Sequence, residues 1–252
     1  MFTKAIVRKP STTFSQGLSS SKLGSPDYQL CLKQHQAYVE ALKICGLEVI
    51  ELEVEEDFPD STFVEDTAIV TEKCAIITHP GHETRRGEVS SIENELKKYR
   101  PIEQIKAPGT LDGGDIMQVE DHFYIGLSNR TNKEGADQLT SFLNKYGYTA
   151  STIDVKDILH LKSGVNYIGD GIIVLMESLK DLKEVATYEK MLIKPEETYA
   201  SNCVRINDCI VMAKGFPDTK KKLSTTPYKI IELDMSEFEK MDGGLSCLSL
   251  RF

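Results

Sequence analysis

Residues 66–79 read DTAIVTEKCAIITH: an apolar run, a polar three-residue turn and a second apolar run. Two short strands joined by such a turn make a β-hairpin. The pattern returns at Asp115 to Leu127 (DIMQVEDHFYIGL), Asn166 to Met176 (NYIGDGIIVLM) and Cys203 to Gly215 (CVRINDCIVMAKG). Repetition on this scale predicts like units stacked on one another. A fifth copy assembles from the chain ends if Cys247 to Phe252 (CLSLRF) forms a strand beside Phe2 to Lys9 (FTKAIVRK), which would leave no open sheet edge there.

Helical spacing fills the gaps between hairpins. Apolar residues three and four apart predict helices over Tyr28 to Cys45, Ser90 to Tyr99 and Lys133 to Tyr146, with Gly46 and Gly147 as C-terminal stops. Short strands should follow at Leu47 to Val54, Pro101 to Ala107 and Thr149 to Val155, and another at Tyr228 to Met235 after a stretch with no clear helix. The repeating unit is strand, strand, helix, strand, about five times over. No low-complexity linker divides the chain, so the reading is one α/β domain over residues 1–252, a five-bladed pseudosymmetric propeller. Its geometry would put the hairpin entrances together at a central channel, so the residues that open them (Glu65 and Asp66, Asp112 to Asp115, His160 to Asn166, and Cys247) should converge on one site.

Composition narrows the function classes. A chain of 252 residues with 40% hydrophobic content can bury a full core. No apolar run is long enough to span a bilayer, and Met1 to Ser11 lacks the apolar stretch of a signal peptide, so no membrane role and a cytoplasmic location are expected. The six cysteines form no C-x-x-C pair, which argues against a zinc ribbon and leaves the thiols reduced in that compartment. A net charge of −9 argues against a nucleic-acid partner and suits a cationic ligand. Lys220 to Lys222 reads as a solvated loop.

Chemistry collects at the hairpin entrances. Cys247 follows Gly243-Gly244, where glycine permits close approach of another group. A cysteine nucleophile needs a base or cation beside it, His160 titrates in the right range, and Asp112 is a carboxylate that can orient an imidazole. Each alone has a plain alternative: a buried thiol, a hydrogen-bonded histidine, an Asp-Gly turn. The other five cysteines fit packing roles. In Leu111-Asp-Gly-Gly-Asp115 the two carboxylates flank a glycine turn and read as facing a cavity. Glu65 and Asp66 are adjacent acids at the start of a strand, and neighbours on a strand face opposite ways, so both reach one place only if the chain bends. Arg85 and Arg86, read as a loop before a helix, and Arg130 are candidates for gripping a substrate carboxylate, or simply solvated. His79-Pro-Gly-His82 has no third ligand nearby, and no metal site is expected.

Taken together, the N-terminal segment through Leu18, Asp60 to Asp66 (DSTFVED), His79 to Val89 (HPGHETRRGEV), LDGGD at 111–115, Gly126 to Asn132 (GLSNRTN), His160 to Gly164 (HLKSG) and Cys247 resemble dimethylarginine dimethylaminohydrolases of the guanidino-group-modifying, or pentein, superfamily. The resemblance covers nearly the whole chain and implies a five-bladed α/β propeller. It implies Cys247 as nucleophile, His160 as general acid and base, and Asp112 as its orienting carboxylate. Glu65 and Asp66 would surround a guanidinium, Arg85 and Arg130 would bind the α-carboxylate, and Asp60 with the main chain near Leu18 and Met241 would surround the α-amino group. The implied reaction releases citrulline through a covalent thiouronium and needs no cofactor. The implied partner is a small methylated arginine, bound by a monomer or homodimer. Arginine deiminases carry an aspartate two residues after the catalytic histidine. Lys162 stands there, which favours an Nω-methylated substrate. An arginine deiminase, and a non-catalytic binding protein on the same scaffold, are the alternatives.

Overall fold

The computed structural model describes residues 1–252 as fifteen short strands in five three-stranded sheets. The first sheet joins the chain ends: β1 (Lys4–Arg8) lies between β2 (Glu48–Leu52) and the last strand, β15 (Leu250–Arg251). The others run in chain order. They are β3 (Ala68–Val70), β4 (Ala75–Ile77) and β5 (Ile102–Gln104); β6 (Ile116–Val119), β7 (His122–Leu127) and β8 (Thr149–Asp154); β9 (Val165–Gly169), β10 (Ile172–Met176) and β11 (Glu189–Ile193); β12 (Val204–Ile206), β13 (Cys209–Ala213) and β14 (Lys229–Leu233). In every blade the middle strand pairs antiparallel with its hairpin mate and parallel with the strand that returns after the crossover. The four internal hairpins and the closure by the termini match the sequence reading, with Ala5 opposite Arg251 and Ile6 opposite Leu250.

Three crossovers are the expected helices: α1 (Tyr28–Ile44), α2 (Val89–Leu96) and α3 (Lys133–Lys145). Asp27 caps α1 by accepting the Leu30 N–H, and Asn132 caps α3 by accepting the Gly135 N–H. Gly46 and Gly147 then take the left-handed conformation that ends each helix. α1 buries Tyr38, Val39 and Leu42 in one apolar cluster with Val7, Val211 and Leu248, tying the first blade to the last. Each side chain of that size contributes roughly 1.5–3 kcal/mol when removed from water.

Four readings need correction. Cys247 to Phe252 is not one strand: Ser246–Leu248 coils into a 3-10 turn and only Leu250–Arg251 pairs with β1. The fourth blade has a third strand, β11, that the sequence pattern did not reveal, and its crossover holds only a short 3-10 turn at Glu177–Leu179. Lys220 to Lys222 belong to a helix, Pro217–Leu223, started by a proline at its first turn. Arg85 and Arg86 lie on a 3-10 helix, Glu83–Glu88, rather than a loop.

In every blade the strand that pairs antiparallel with the middle strand helps line a common central cavity of about 170 Å³, with Ala68, Met117, Asn166, Val204 and Leu250 among the lining residues. Before each of those strands the chain makes a short helical segment, at Val64–Thr67, Gly113–Asp115, Leu161–Gly164, Pro195–Ser201 (kinked at Glu197) and Ser246–Leu248. These five turns gather at one end of the axis. No helix of the chain is long and apolar enough to cross a membrane.

Candidate active site

The convergence demanded by the repeat is met in part: Asp66, His160 and Cys247 share one cleft with Asp112 behind it, whereas Glu65 and Asn166 line the central cavity. His160, at the start of the Leu161–Gly164 turn, engages Asp112 through Nε2 and Oδ2 at 3.1 Å. Its Nδ1 lies 4.0 Å from Asp66 Oδ1. Gly114 N–H donates to that same oxygen at 2.9 Å. A β-carbon on Gly114 would sit 2.6 Å from His160 Nδ1, and one on Gly113 would sit 2.0 Å from the Glu65 carbonyl oxygen, so the Gly-Gly of LDGGD is needed for close approach. Asp112 is anchored in turn by the Gly81 N–H at 2.9 Å and by its own N–H to Thr131 Oγ1 at 3.1 Å. Burial opposes the imidazolium, but Asp66, the bond to Asp112 and nearby Asp115 outweigh it and raise His160 to about 9.

Cys247 is half-buried, and its Sγ accepts the Gly244 N–H at 3.4 Å. Burial, followed by Glu65 and Asp66, pushes the thiol up to about 12, against a downward pull from the Gly244 N–H and Lys162. At neutral pH the ligand-free site therefore holds a neutral thiol and an imidazolium.

A narrow cleft of about 30 Å³ is lined by Cys247, His160, Asp66, Asp60, Arg85, Arg130, Leu18 and Met241, with Leu159 and Phe63 as further apolar walls. Eight of the ten predicted site residues thus share one space, and Asp112 stands directly behind His160. Glu65 faces the other way, into the central cavity, where it binds Lys162 Nζ at 2.6 Å, Ser246 Oγ at 2.7 Å and Arg251 Nη2 at 3.2 Å. Both acids sit on the 3-10 turn, and its curvature turns one to each side.

Asp60 accepts the Leu18 N–H through both oxygens at 3.1 Å, and burial raises its carboxyl despite Arg85 and that bond. Ser19 Oγ donates to the Lys240 carbonyl at 2.8 Å, and Ser20 N–H and Oγ both donate to Asp242, so residues 18–20 are strapped across the cleft beside Met241. Arg130 approaches only Asp112, at 3.9 Å, and its head reaches the cleft. Arg85 is buried and bound to Asp66 at 2.5 Å and to Glu88. The paired-carboxylate reading of LDGGD is corrected: Asp115 turns away from the cleft and is fully buried. It accepts bonds from Ser128, Thr131 and the Leu161 N–H, fixing the turn that carries His160.

Asp66, Asp112 and His160 bring ligand-type atoms within 4.8 Å of one another. Each carboxylate is already engaged, Asp66 by Arg85 and Gly114, Asp112 by Gly81 and His160, so ion pairing and hydrogen bonds account for the cluster.

Sequence reasoning overlooked Asn202. It opens the remaining hairpin, accepts the Ser246 N–H at 3.0 Å, and donates to Ser246 Oγ at 3.1 Å and to the Lys162 carbonyl at 2.9 Å. Its position in the repeat was the available signal. An amide carries no titratable group to draw the eye.

Comparison with known proteins fits this geometry. A family model described as N,N dimethylarginine dimethylhydrolase, eukaryotic, matches residues 11–249. The N(G),N(G)-dimethylarginine dimethylaminohydrolase of Pseudomonas aeruginosa is 44% identical, with all of both chains covered. The one from Streptomyces coelicolor is 36% identical over 98% of this chain and 96% of its own. A solved structure of the Pseudomonas enzyme, a cysteine-to-serine mutant complexed with citrulline, superposes with a TM-score of 0.99 over the whole of both chains. The N-terminal domain of the arginine dihydrolase ArgZ, at 16% identity and a TM-score of 0.88 over 100% of this chain and 97% of its own, shares the fold. The chain belongs to the dimethylarginine dimethylaminohydrolase family.

Proposed function

We infer that the protein hydrolyses Nω-methylated L-arginines to L-citrulline and a methylamine, with Cys247 as nucleophile. The observation that carries this reading is a thiol and an imidazolium on one cleft walled by carboxylates. Such a cleft attracts a guanidinium, and the guanidinium offsets the acids that hold the thiol neutral. Loss of the thiol proton to water then leaves a thiolate beside the central guanidino carbon.

Attack forms the S–C bond and a tetrahedral adduct. His160, already protonated, gives its proton to the methylated nitrogen as the C–N bond breaks, and dimethylamine leaves. The remaining S-alkylthiouronium is the covalent intermediate. Neutral His160 takes one proton from water as the oxygen bonds to carbon; collapse breaks the C–S bond, the departing sulfur takes up the hydroxyl proton to restore the resting thiol, and the ureido group of citrulline is formed. Asp112 steadies the imidazole at one nitrogen, and the other has no hydrogen-bond partner within the protein. Arg130 supports recognition of the α-carboxylate, and Asp60 with the Leu18 main chain supports the α-amino end.

Lys162 bears on substrate choice. Its ammonium pairs with Glu65, so the position where deiminases carry an acid here spends its charge inside the protein. Nothing at that position then demands an unsubstituted guanidinium edge, and a methylated one is favoured. Purified protein incubated with asymmetric dimethylarginine should release citrulline and dimethylamine together, with neither formed by Cys247→Ser. Ammonia and citrulline from arginine, with no turnover of the methylated compound, would reassign the protein as a deiminase.

A further inference from the structure

Behind the cleft wall lies a buried carboxylate that the reaction scheme leaves without a task. Glu88 is 1% exposed, at the end of the 3-10 helix that carries Arg85. It accepts from Arg85 Nε at 3.1 and 3.2 Å and from Nη2 at 2.8 Å. The second Nη2–H points at the main-chain carbonyls of Phe63 (3.0 Å) and Asp60 (3.3 Å), and Nη1 donates to Asp66 at 2.5 Å. A guanidinium has five N–H bonds. Four are thereby used, and one Nη1–H remains on a residue that lines the cleft.

We propose that Glu88 is a positioning residue of this enzyme: it locks the Arg85 fork so that Arg85 holds Asp66 beside His160 and turns its one unused N–H toward the substrate α-carboxylate. This deepens the functional reading above and rests on it. Fork-to-fork pairing fixes both the position and the plane of a guanidinium, which a single contact cannot do. Without Glu88, Arg85 would keep Asp66 at Nη1 and the Phe63 and Asp60 carbonyls at Nη2, with Nε unpaired and the plane of the fork less tightly fixed. The charges facing Glu88 are Arg85, Arg8, Asp60 and Asp66. Arg8, fully buried in β1, is held by the Ser61 and Glu53 carbonyls, Glu55 and Ser91, so a row of buried charge runs from the first strand to the catalytic imidazole. Burial raises the Glu88 carboxyl to about 7 even with Arg85 pulling it down, the mark of an acid retained in a costly place.

The test compares the native protein, Glu88→Gln and Glu88→Asp with two ligands: asymmetric dimethylarginine as substrate, and its decarboxylated counterpart as competitive inhibitor. For Glu88→Gln the expected result is a KM for the amino acid raised about tenfold, as for a weakened charge-assisted hydrogen bond, with the inhibition constant of the decarboxylated compound moved by no more than about twofold. Removing a negative charge also weakens the hold on the imidazolium, so the basic limb of kcat/KM should shift to lower pH. Glu88→Asp keeps the charge but shortens its reach. It should raise KM selectively while leaving the basic limb in place, and it carries the test if the glutamine variant does not fold. Parallel weakening of both ligands, or a drop in kcat with KM and pH profile unchanged, would reduce Glu88 to a packing role and overturn the proposal. No citrulline from the native protein would sink the reaction assignment itself, an outcome separate from either variant's behaviour.

Discussion

At the scale of single residues, the proposed catalytic pair, Cys247 and His160, rests in the less reactive of its two charge arrangements. A thiol at about 12 and an imidazole at about 9 mean that the thiol keeps its proton across the neutral range while His160 carries one. In the proposed reaction His160 is thus pre-loaded as the acid for amine departure, and Cys247 waits for a cation. Alkylation of the free enzyme by iodoacetamide at Cys247 should therefore keep accelerating as pH rises from 6 to 9, with no plateau, because only the thiolate reacts. The acidic limb of kcat should lie below the value of the thiol in the free enzyme, since burial, Glu65 and Asp66 keep that thiol protonated and a bound guanidinium offsets the two acids. A plateau in the alkylation rate near pH 7 would show a resting thiolate and refute this charge assignment. The roles of Cys247, His160 and Asp112 were suggested by residue type and order along the chain. Their charge states were not, because burial and the company of Asp115 and Glu65 belong to the folded molecule.

At the scale of elements, five equivalent turns carry the site, and the least reactive of them holds the most reactive in shape. Asn202 ties the Ser246–Leu248 turn to the Lys162 carbonyl, so its amide fixes Cys247 relative to the element that follows His160. A β-carbon on Gly244 would lie 2.5 Å from the Asn202 side chain, which shows how tightly the two segments meet. Asn202→Ala leaves the buried Ser246 N–H without a partner, a loss of about 1–3 kcal/mol. The expected outcome is a kcat reduced roughly tenfold or more with a smaller change in KM, because a misplaced nucleophile harms the chemical step first. An unchanged kcat in steady-state assays would mean that Gly244 and the paired strand hold the cysteine unaided. The hairpins were legible because alternation and polar turns are local signals. The terminal cysteine segment was misread for the same reason: Leu248 and Leu250 alternate like a strand, while contacts with Asn202 and Glu65, distant in sequence, curl the chain at Ser246. β11 escaped notice because Glu189–Ile193 (EKMLI) opens on two charged residues and lacks the apolar–polar alternation that marks a strand.

At the scale of the whole molecule, the ring is closed by its two ends, and Cys247, the proposed nucleophile, sits on the closing segment. β15 pairs with β1, the Phe252 carbonyl accepts the N–H groups of Thr3 and Lys4 at 2.8 Å, and Leu250 and Phe252 pack with Ile6 and Ile77. Arg251 reaches the axis to bind Glu65 at 3.2 Å. Ending the chain after Ser249 removes the strand pairing, two buried apolar side chains and the partner of a buried carboxylate at once. Each apolar side chain alone is worth roughly 1.5–3 kcal/mol, so the loss should approach the whole stability of an ordinary domain, about 5–15 kcal/mol. Arg251→Met isolates one part of that loss. Lys162 and Ser246 still face Glu65, so the variant should remain folded, at a cost of about 1–3 kcal/mol for the broken contact. Thermal unfolding followed by circular dichroism, with citrulline release measured on the same samples, separates the two effects. The truncated chain should unfold at a much lower temperature and lose activity, whereas Arg251→Met should unfold only a few degrees lower and keep its turnover. Equal losses in the two variants would mean that the axial ion pair, rather than strand closure, joins the last blade to the first. Full activity in the truncated chain would mean that the Ser246–Leu248 turn is held by Asn202 and Glu65 without any ring closure at all.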